Sequence, residues 1–378
     1  MVVFGTRPEA IKLAPVIRGL EASQRLEPVV VVTGQHRTML HEVLETFAIV
    51  PDVDLDILQP GQSVTDITVR VLAGLAPWLT AQAPDAVLVQ GDTTSTFAGA
   101  LAAFYEQIPV AHLEAGLRTR DPYRPFPEEM NRRLTTRLTT MHLAATPTAR
   151  AHLLDEGIAG DDIVVTGNTV IDALLWAVER QGSLGPELEA ATADGRRVLL
   201  VTAHRRESWG AAMVSIGRAI AKIAATHPDV LVVAPLHLNP IVRDAVIPQV
   251  AGLENVMVVE PLAYGPFCRL MARAHVVLTD SGGIQEEAPS LGKPVLVMRD
   301  TTERPEGIAT GSALLVGTDT DVIVATVQAL LHDETHYRSM ARAVNPYGDG
   351  RAAERAVQAI EHMLGVGDRP LEFAAQLP

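Results

Sequence analysis

Short apolar runs recur along the chain, and segments with helical periodicity separate them. The runs occupy residues 2–4, 28–32, 86–89, 110–113, 163–165, 198–202, 231–234, 256–259, 276–278 and 295–298. In the intervening segment 66–80, Ile67, Val71 and Leu75 recur at the spacing of one helix face. Short buried strands that alternate with amphipathic helices predict βαβ units and parallel sheets.

Length and composition extend this prediction to two domains. A chain of 378 residues exceeds what one hydrophobic core usually supports. Its residues are 47% hydrophobic but only 4% aromatic, so aliphatic side chains suited to buried parallel strands carry the apolar content. We therefore predict an α/β fold of two Rossmann-like domains whose parallel sheets face a cleft.

The weakest periodicity lies between residues 181 and 197, where Gly182, Gly185, Pro186 and Gly195 cluster. We place the domain junction there. The predicted divisions are an N-terminal Rossmann-like domain over 1–182, a C-terminal Rossmann-like domain over 196–350, a terminal helix over 351–364 that packs back towards the N-terminal domain, and a disordered tail over 365–378.

Charge and cysteine content exclude several functional classes. A formal net charge of −14 argues against nucleic acid as a partner, because phosphate binding is driven by clustered Lys and Arg. Cys268 is the only cysteine, which rules out intramolecular disulfides and cysteine-rich zinc sites. No histidine set has ligand spacing, so we predict no metal. No apolar run approaches a membrane span of about 20 residues, and we expect a soluble cytoplasmic protein.

A small-polar turn follows the strand at 276–278. The backbone N–H groups of Ser281, Gly282 and Gly283 stand where a helix begins, and such groups can approach phosphate oxygens. The same residues suit an ordinary tight turn in which Asp280 or Ser281 caps the helix. On these residues alone, both interpretations stay open.

The free energy with which a helix N-terminus stabilises an anion helps to distinguish the two interpretations. A helix N-terminus stabilises an exposed anion by roughly 0.3–1 kcal/mol, which is too little for a diphosphate. Arginine or lysine must therefore converge from other loops if the turn binds phosphate. Cations at strand ends are available, namely Arg7, Lys12, Arg205, Arg206 and Arg304. Each of them alone is more often a solvated surface charge.

Acidic residues form a second set of candidates. Asp92 and Glu114 follow two neighbouring strands, and Glu128 begins a helix. Carboxylates that meet at one sheet edge suit general acid and base catalysis, because crowding and burial separate their pKa values. The alternative is structural: Asp92 caps a helix, and Glu128 complements a helix dipole. His204 and His237 also follow strands.

Several motifs together resemble one bacterial enzyme family. They are FGTRPEAIK, QGDTT, HLEAGLR, PEEMNR, TGNTVID, AHRRES, DSGGIQEEAPSLGKP and NPYGDG. In this order they are similar to the non-hydrolysing UDP-N-acetylglucosamine 2-epimerases, from residue 2 to about residue 364. The resemblance implies a GT-B fold, a homodimer, no cofactor, and interconversion of UDP-N-acetylglucosamine and UDP-N-acetylmannosamine for surface polysaccharide synthesis. The implied route eliminates UDP to give a 2-acetamidoglucal and then adds it back.

The resemblance also implies roles for individual residues. The implied catalytic residues are Asp92, Glu114, Glu128, Arg132 and His204. The implied substrate-binding residues are Arg7, Lys12, Phe267, Ser281, Gly282, Gly283, Glu287 and Arg304, with Arg7, Lys12 and His204 towards the diphosphate and Glu287 on the ribose. A second UDP-N-acetylglucosamine that acts as an activator is implied at Gln35, Gln62, Arg205 and His237. Which carboxylate acts on which face of the sugar is left open.

Three other functions fit the same residues. A GT-B glycosyltransferase or a hydrolysing epimerase would release free UDP, whereas the proposed family returns an intact nucleotide sugar. A nucleotide-sugar sensor would bind without turnover, and the presence of all three candidate acids, Asp92, Glu114 and Glu128, speaks against it.

Overall fold

The computed structural model describes residues 1–34, 37–180 and 183–374. The chain forms two compact units. Unit 1 comprises Met1–Ala173 and Tyr347–Ala374, and unit 2 contains the residues from Leu174 to Pro346. Each unit is built around one parallel sheet. The predicted α/β fold class with two Rossmann-like sheets is confirmed.

Unit 1 contains a seven-stranded sheet in the order β3-β2-β1-β4-β5-β6-β7. Its strands are β1 (Val2–Phe4), β2 (Val30–Val32), β3 (Val53–Asp54), β4 (Val87–Gln90), β5 (Val110–Ala115), β6 (Met141–Ala144) and β7 (Ile163–Val165). Its helices are α1 (Arg7–Glu21), α2 (Arg37–Phe47), α3 (Val64–Gln82), α4 (Thr94–Tyr105), α5 (Glu128–Leu138), α6 (Pro147–Asp155) and the first part of α7 (Thr169–Arg180).

Unit 2 contains a six-stranded sheet in the order β10-β9-β8-β11-β12-β13. Its helices α8 to α15 are Pro186–Thr192, Ala211–Thr226, Pro240–Val250, Tyr264–Arg273, Gly282–Glu287, Pro305–Ala309, Thr320–His332 and Glu334–Ala341. Its strands are β8 (Arg197–Thr202), β9 (Val230–Pro235), β10 (Val256–Val259), β11 (Ala274–Thr279), β12 (Val295–Val297) and β13 (Ala313–Leu315). The last helix of the chain, α16 (Ala352–Met363), belongs to unit 1 and packs against α1.

Both sheets reverse their strand order at one central pair of strands. In unit 1 the pair is β1 and β4, and in unit 2 it is β8 and β11. At such a switch point the two connections leave in opposite directions, which opens a crevice beyond the carboxyl ends of the strands. The segments after these four strands carry eight of the candidate residues, namely Arg7, Lys12, Asp92, His204, Arg205, Ser281, Gly282 and Gly283.

Local signals explain most of the elements. The predicted helix over 66–80 is confirmed as α3, which begins after Ser63, whose side chain accepts the Asp66 N–H at 3.2 Å. The short strands β3, β6 and β13 were not predicted. In β6 a polar residue interrupts the apolar run, since His142 is buried there and contacts the carbonyl oxygens of Thr136 and Asp162.

The division between the units falls within α7, after Ala173. This lies before the glycine-rich segment 181–197 that we predicted as the junction, because α7 begins on unit 1 and continues into unit 2 without a break. The tail also differs from the prediction of disorder for its described part, 365–374. Phe373 is buried, and its N–H donates to the Val165 carbonyl at 2.7 Å. Arg150 also donates to both carboxylate oxygens of Glu372 at 2.6 Å.

Candidate active site

Glu114 lies near the end of β5 in a conformation that side chains rarely adopt. Its φ is +64°, in the left-handed region, which costs a residue other than glycine about 1–3 kcal/mol. The pairing register with β6 also shifts between Leu113 and Ala115. The strand end is therefore irregular where the carboxylate leaves the sheet.

Three residues from separate parts of unit 1 hold the Glu114 carboxylate. The Lys12 ammonium lies 2.6 Å from both carboxylate oxygens. Gln90, the last residue of β4, donates to Oε2, and Asn168 Nδ2 donates to Oε1 at 3.3 Å. The structure thus places Lys12 on a carboxylate, whereas the family resemblance assigns it to the diphosphate side. An ammonium ion at this distance favours the ionised form of Glu114.

Asp92 follows β4 and pairs with Arg132 of α5. Arg132 Nη2 donates to Asp92 Oδ2 at 2.6 Å, and Asn131 Nδ2 donates to the Asp92 carbonyl at 3.0 Å. Although 28% of the Asp92 side chain is accessible, the surrounding atoms desolvate the carboxyl and raise its pKa, and the nearby charge of Glu114 adds to this. Arg132 opposes the rise. A carboxyl group with a raised pKa beside a cation is suited to proton transfer.

Glu128 and Glu129 are adjacent in sequence but differ in their surroundings. Within the described chain Glu128 makes no ion pair or side-chain hydrogen bond, yet its charge is close enough to raise the pKa of Asp92. Glu129 is fully buried and accepts from the Thr119 N–H at 3.0 Å. It also lies 3.3 Å from Arg132 Nη1. Glu129 therefore orients Arg132, while the Glu128 carboxylate remains uncommitted.

In unit 2 a buried acid holds the histidine that follows β8. His204 Nδ1 lies 2.8 Å from Asp280 Oδ1. The Asp280 side chain also accepts the backbone N–H groups of His204 and Arg205 at 2.7 and 2.8 Å. Burial opposes the charge of Asp280, but these bonds outweigh it and hold its pKa below the usual range. The His204 side chain is 45% accessible.

The turn after β11 lies beneath a group of arginines. A Cβ atom added to Gly282 would lie 3.3 Å from Glu303 Oε1, 3.5 Å from Arg304 Cζ and 3.7 Å from Arg205 Nη2. A Cβ atom there would make a close contact with the Glu303 carboxylate and would occupy the space next to the two guanidinium groups. Glu303 pairs with Arg205 at 2.8 Å and with Arg299 at 2.6 Å.

The pKa of Glu303 falls to about 2. Burial works against this shift, but the Arg299 hydrogen bond and the charges of Arg304 and Arg205 outweigh burial. The arginine group thus already holds one anion firmly, at the turn where a phosphate was predicted. Two of the predicted cations, Arg205 and Arg304, lie at this turn, where they pair with the carboxylates of Glu303 and Glu286, and phosphate binding there stays a prediction.

Glu287 and Phe267 lie on helices next to that turn. Glu287 of α12 is buried, and the Tyr264 hydroxyl donates to its Oε2 at 3.4 Å. Phe267 lies half-buried on α11. Ser281 is the N-terminal flanking residue of α12, and its N–H donates to Thr279 Oγ1 at 3.0 Å. A carboxylate held by a tyrosine at the C-terminal end of this short helix suits binding of ribose hydroxyls.

The remaining predicted residues lie in three different places. Arg7 begins α1, is half-buried, and pairs with no acid in the described part of the chain. Gln62 accepts from Arg70 at 3.1 Å. The His237 ring lies 6.5 Å from the His204 ring. Gln35 lies outside the described residues. The assignment of Gln35, Gln62, Arg205 and His237 to an activator site stays a prediction, as does that of Arg7 to the diphosphate.

Sequence reasoning missed the residues that hold the candidate side chains in place. They are Gln90, Asn168, Glu129, Tyr264 and Glu303. Asp280 was considered only as a cap for α12, but its side chain accepts the His204 and Arg205 N–H groups instead. Gln90 and Asn168 stand inside motifs that were recognised, but a motif does not show which side chain its amide groups will meet. A polar residue at the last position of an apolar strand, such as Gln90, is a signal that could have drawn attention.

Residues 1–34, 37–180 and 183–374 were searched for a metal site and for a membrane-spanning helix. Among them, no group of three or more His, Cys, Asp or Glu side chains is arranged to hold a metal ion. No helix in these ranges has the length and apolar content needed to cross a membrane.

Comparison with known proteins identifies the family. The family model for UDP-N-acetylglucosamine 2-epimerase matches residues 18–361. The UDP-N-acetylglucosamine 2-epimerase of Salmonella typhimurium is 54% identical over 96% of this chain and 98% of its own length.

Two solved structures have the same fold. The crystal structure of a putative UDP-N-acetylglucosamine 2-epimerase from Listeria monocytogenes is 45% identical, with a TM-score of 0.94 over 99% of both chains. The Neisseria meningitidis UDP-GlcNAc 2-epimerase bound to UDP-GlcNAc is 47% identical, with a TM-score of 0.85 over 96% of this chain and 99% of that one. With the match along nearly the whole chain, this protein belongs to the UDP-N-acetylglucosamine 2-epimerase family of isomerases.

Proposed function

We propose that this protein interconverts UDP-N-acetylglucosamine and UDP-N-acetylmannosamine by eliminating UDP and adding it back. The observation that carries the proposal is the group of Asp92, Glu114 and Glu128 with the cations Lys12 and Arg132. These residues lie in a chain that matches the family over nearly its whole length. Inversion at C2 needs a group that removes a proton and a group that returns one to the opposite face, which carboxylates can supply.

The two half-reactions balance without a cofactor. In the first, a carboxylate takes the proton from C2, the electron pair of that bond forms the C1–C2 double bond, and the bond from C1 to the diphosphate oxygen breaks. UDP leaves as an anion, and 2-acetamidoglucal remains. In the second, a carboxylic acid protonates C2 from the opposite face while the UDP oxygen attacks C1.

The contacts of the three acids favour different roles. Glu114 is held by Lys12, Gln90 and Asn168, so its orientation is defined before the substrate binds. Asp92 has a raised pKa, and Glu128 is uncommitted within the described chain. We assign proton transfer at C2 to Asp92 and Glu128, and electrostatic positioning of the sugar to Glu114 with Lys12.

The nucleotide contacts that we propose follow from the turn after β11. Ser281, Gly282 and Gly283 bind the diphosphate through backbone N–H groups, and Arg304 adds a charge-assisted bond. His204, held by Asp280, and Arg7 stabilise the charge that develops on the departing UDP. Glu287 accepts the ribose hydroxyls, and Phe267 contacts the base. The Neisseria meningitidis relative was solved with UDP-GlcNAc bound, which supports this ligand.

An isotope experiment tests the reaction. Incubating the protein with UDP-N-acetylglucosamine in heavy water should place deuterium at C2 of the recovered sugar, and the manno epimer should appear in the same NMR time course. Asp92→Asn should slow both by roughly 100-fold or more, because general acid and base groups contribute about 10²–10⁴-fold. UDP affinity should change little, because the proposed nucleotide contacts lie elsewhere.

Three results would contradict the proposal. Retention of the original hydrogen at C2 would favour a hydride mechanism. Release of free UDP in proportion to free sugar would indicate a hydrolysing epimerase, or a glycosyltransferase that uses water in place of its acceptor. Binding without any turnover would indicate a nucleotide-sugar sensor.

Three further features stay predictions. They are a homodimer, activation by a second UDP-N-acetylglucosamine, and supply of the manno product to surface polysaccharide synthesis. Analytical ultracentrifugation tests the first. A sigmoidal dependence of rate on UDP-N-acetylglucosamine concentration tests the second.

A further inference from the structure

Glu9 is a buried carboxyl group to which the mechanism above assigns no role. It lies in the first turn of α1, and only 1% of the residue is accessible. Two residues before it is Arg7 and three residues after it is Lys12. Burying a carboxyl group costs free energy unless hydrogen bonds compensate for the loss of water, so its contacts need an explanation.

One carboxyl oxygen of Glu9 holds the loop that follows β1. Oε2 accepts the Thr6 N–H at 2.8 Å and the Gly5 N–H at 3.1 Å. These are backbone groups of the two residues that lead into α1. The bonds fix the backbone from which the Arg7 and Lys12 side chains project.

The other oxygen reaches the loop that follows β4. Oε1 lies 2.8 Å from Thr93 Oγ1 and 2.9 Å from Thr96 Oγ1. Thr93 is the residue after Asp92 and caps α4. Because β1 and β4 are the two strands at the switch point, the Glu9 side chain joins the loops that carry Arg7 and Asp92.

The hydroxyl protons are too few for the contacts that Glu9 makes. Thr96 Oγ1 lies 2.6 Å from the Gln90 carbonyl, which can only accept, so the Thr96 proton belongs there. The Thr93 proton serves the contact with Glu9 Oε1. The remaining contact, from Glu9 Oε1 to Thr96 Oγ1 at 2.9 Å, is then a full hydrogen bond only if Glu9 supplies the proton.

The surroundings of Glu9 agree with a neutral carboxylic acid. Within the described residues no Lys, Arg or His pairs with it, and burial raises its pKa above the ordinary value despite the opposing hydrogen bonds. A charged carboxylate would be left here without a counter-ion, whereas a neutral acid accepts three hydrogen bonds and donates one.

We propose that Glu9 is a positioning residue that joins the loops after β1 and β4 as a neutral acid, and so sets Asp92 relative to Arg7 and Lys12. This role rests on the proposed epimerase reaction. It requires the shape and hydrogen-bonding capacity of the side chain and not its negative charge. Glutamine keeps the shape, and its oxygen can accept the two N–H groups while its NH2 group donates to Thr96 Oγ1 and Thr93 Oγ1. The Thr93 proton then turns to Thr96 Oγ1, which lies 3.0 Å away.

Three substitutions at this position separate shape from charge. Glu9→Gln should keep kcat within about 3-fold of the wild type. Glu9→Asp keeps the acid but shortens the arm by about 1.5 Å, and Glu9→Ala removes it, so kcat should fall roughly 10- to 100-fold in these variants. KM and UDP affinity should change less than kcat, because most proposed nucleotide contacts belong to other loops. The matched control is Glu361→Gln, which should leave kcat unchanged. Glu361 is another buried acid of unit 1, and it is bonded to Ser23 and Arg25.

The relative kcat values of the three Glu9 variants show whether the side chain acts through its shape or its charge. If kcat of Glu9→Gln falls as far as that of Glu9→Ala while Glu9→Asp stays active, the negative charge is needed and the inference is wrong. If all three variants keep kcat and lose only thermal stability, Glu9 has no positioning role. Should Glu9→Ala fail to fold, the comparison of Gln with Asp still gives the answer. An inactive wild type would instead refute the proposed function, whatever Glu9 does.

Discussion

Replacing Lys12 with methionine tests whether Lys12 and Glu114 form one energetic unit. Methionine keeps most of the length and apolar surface of lysine but removes the ammonium that contacts both Glu114 oxygens at 2.6 Å. The carboxylate keeps its bonds from Gln90 and Asn168 but loses its charge partner. We expect a less stable protein that has also lost activity.

The exposure of the two side chains sets the magnitude. The side chains of Lys12 and Glu114 are 17% and 13% accessible, which places the pair near the buried limit. Breaking a fully buried pair costs about 3–5 kcal/mol, whereas exposed pairs contribute about 0–1 kcal/mol. We expect Lys12→Met to lower the free energy of unfolding by about 3 kcal/mol, and the coupling between the two residues to be about 2 kcal/mol.

A double-mutant cycle measures that coupling. Lys12→Met, Glu114→Ala and the double variant are unfolded in urea at pH 7.5 and followed by circular dichroism. Free energies of unfolding are compared only among variants that have the same slope of free energy against urea concentration, because a changed slope signals a different denatured state. Repeating the cycle at 0.5 M NaCl should change the coupling little, since buried pairs are screened much less than exposed ones.

Additive effects would refute this reasoning. A coupling below about 0.5 kcal/mol, or one that disappears in salt, would mean that Lys12 behaves as a surface cation whose contact with Glu114 contributes little. Lys12 would then be available for the diphosphate, as the family resemblance implies.

Two more predictions follow from single residues. Asp172 accepts the Ala353 N–H at 2.8 Å, and burial raises its pKa from 3.8 to about 6. The folded state therefore binds more protons than the unfolded state between these values, and stability falls as the pH rises through them. Asp172→Asn should gain about 2 kcal/mol relative to the wild type between pH 4.5 and 7.5, and a pH-independent difference in urea unfolding would contradict this. Gly282→Ala adds a Cβ atom 3.3 Å from Glu303 Oε1. It should weaken UDP binding in calorimetry by roughly 10-fold or more, about 1.4 kcal/mol, while leaving thermal stability unchanged. Unaltered UDP affinity would exclude phosphate binding at this turn.

Local physics accounts for the elements that could be predicted from the sequence. Apolar runs form buried strands, Ser63 caps α3, and Pro8 stands in the first turn of α1. These signals involve residues close together along the chain. The family motifs added the identity of the candidate acids, since each motif is a short continuous stretch.

The partners of those acids could not be predicted in the same way. Glu114 meets Lys12 from 102 positions away, and Glu9 meets Thr93 from 84 positions away. Such contacts depend on which strands become neighbours in the sheet and on the register between them. The prediction of disorder was also wrong for the described part of the tail, 365–374, where Phe373 is buried against unit 1.

The sequence by itself determined ten of the strands, the helix over 66–80, the fold class and the list of chemically capable residues, because hydrophobic periodicity and helix signals act over a few residues. Only the tertiary structure decided that Lys12 faces a carboxylate, that Glu303 lies among arginines over Gly282, and that Glu9 joins two loops. The physical reason is that charge pairing and burial depend on distance in space. The strand order at each switch point sets that distance, and no stretch of sequence contains it.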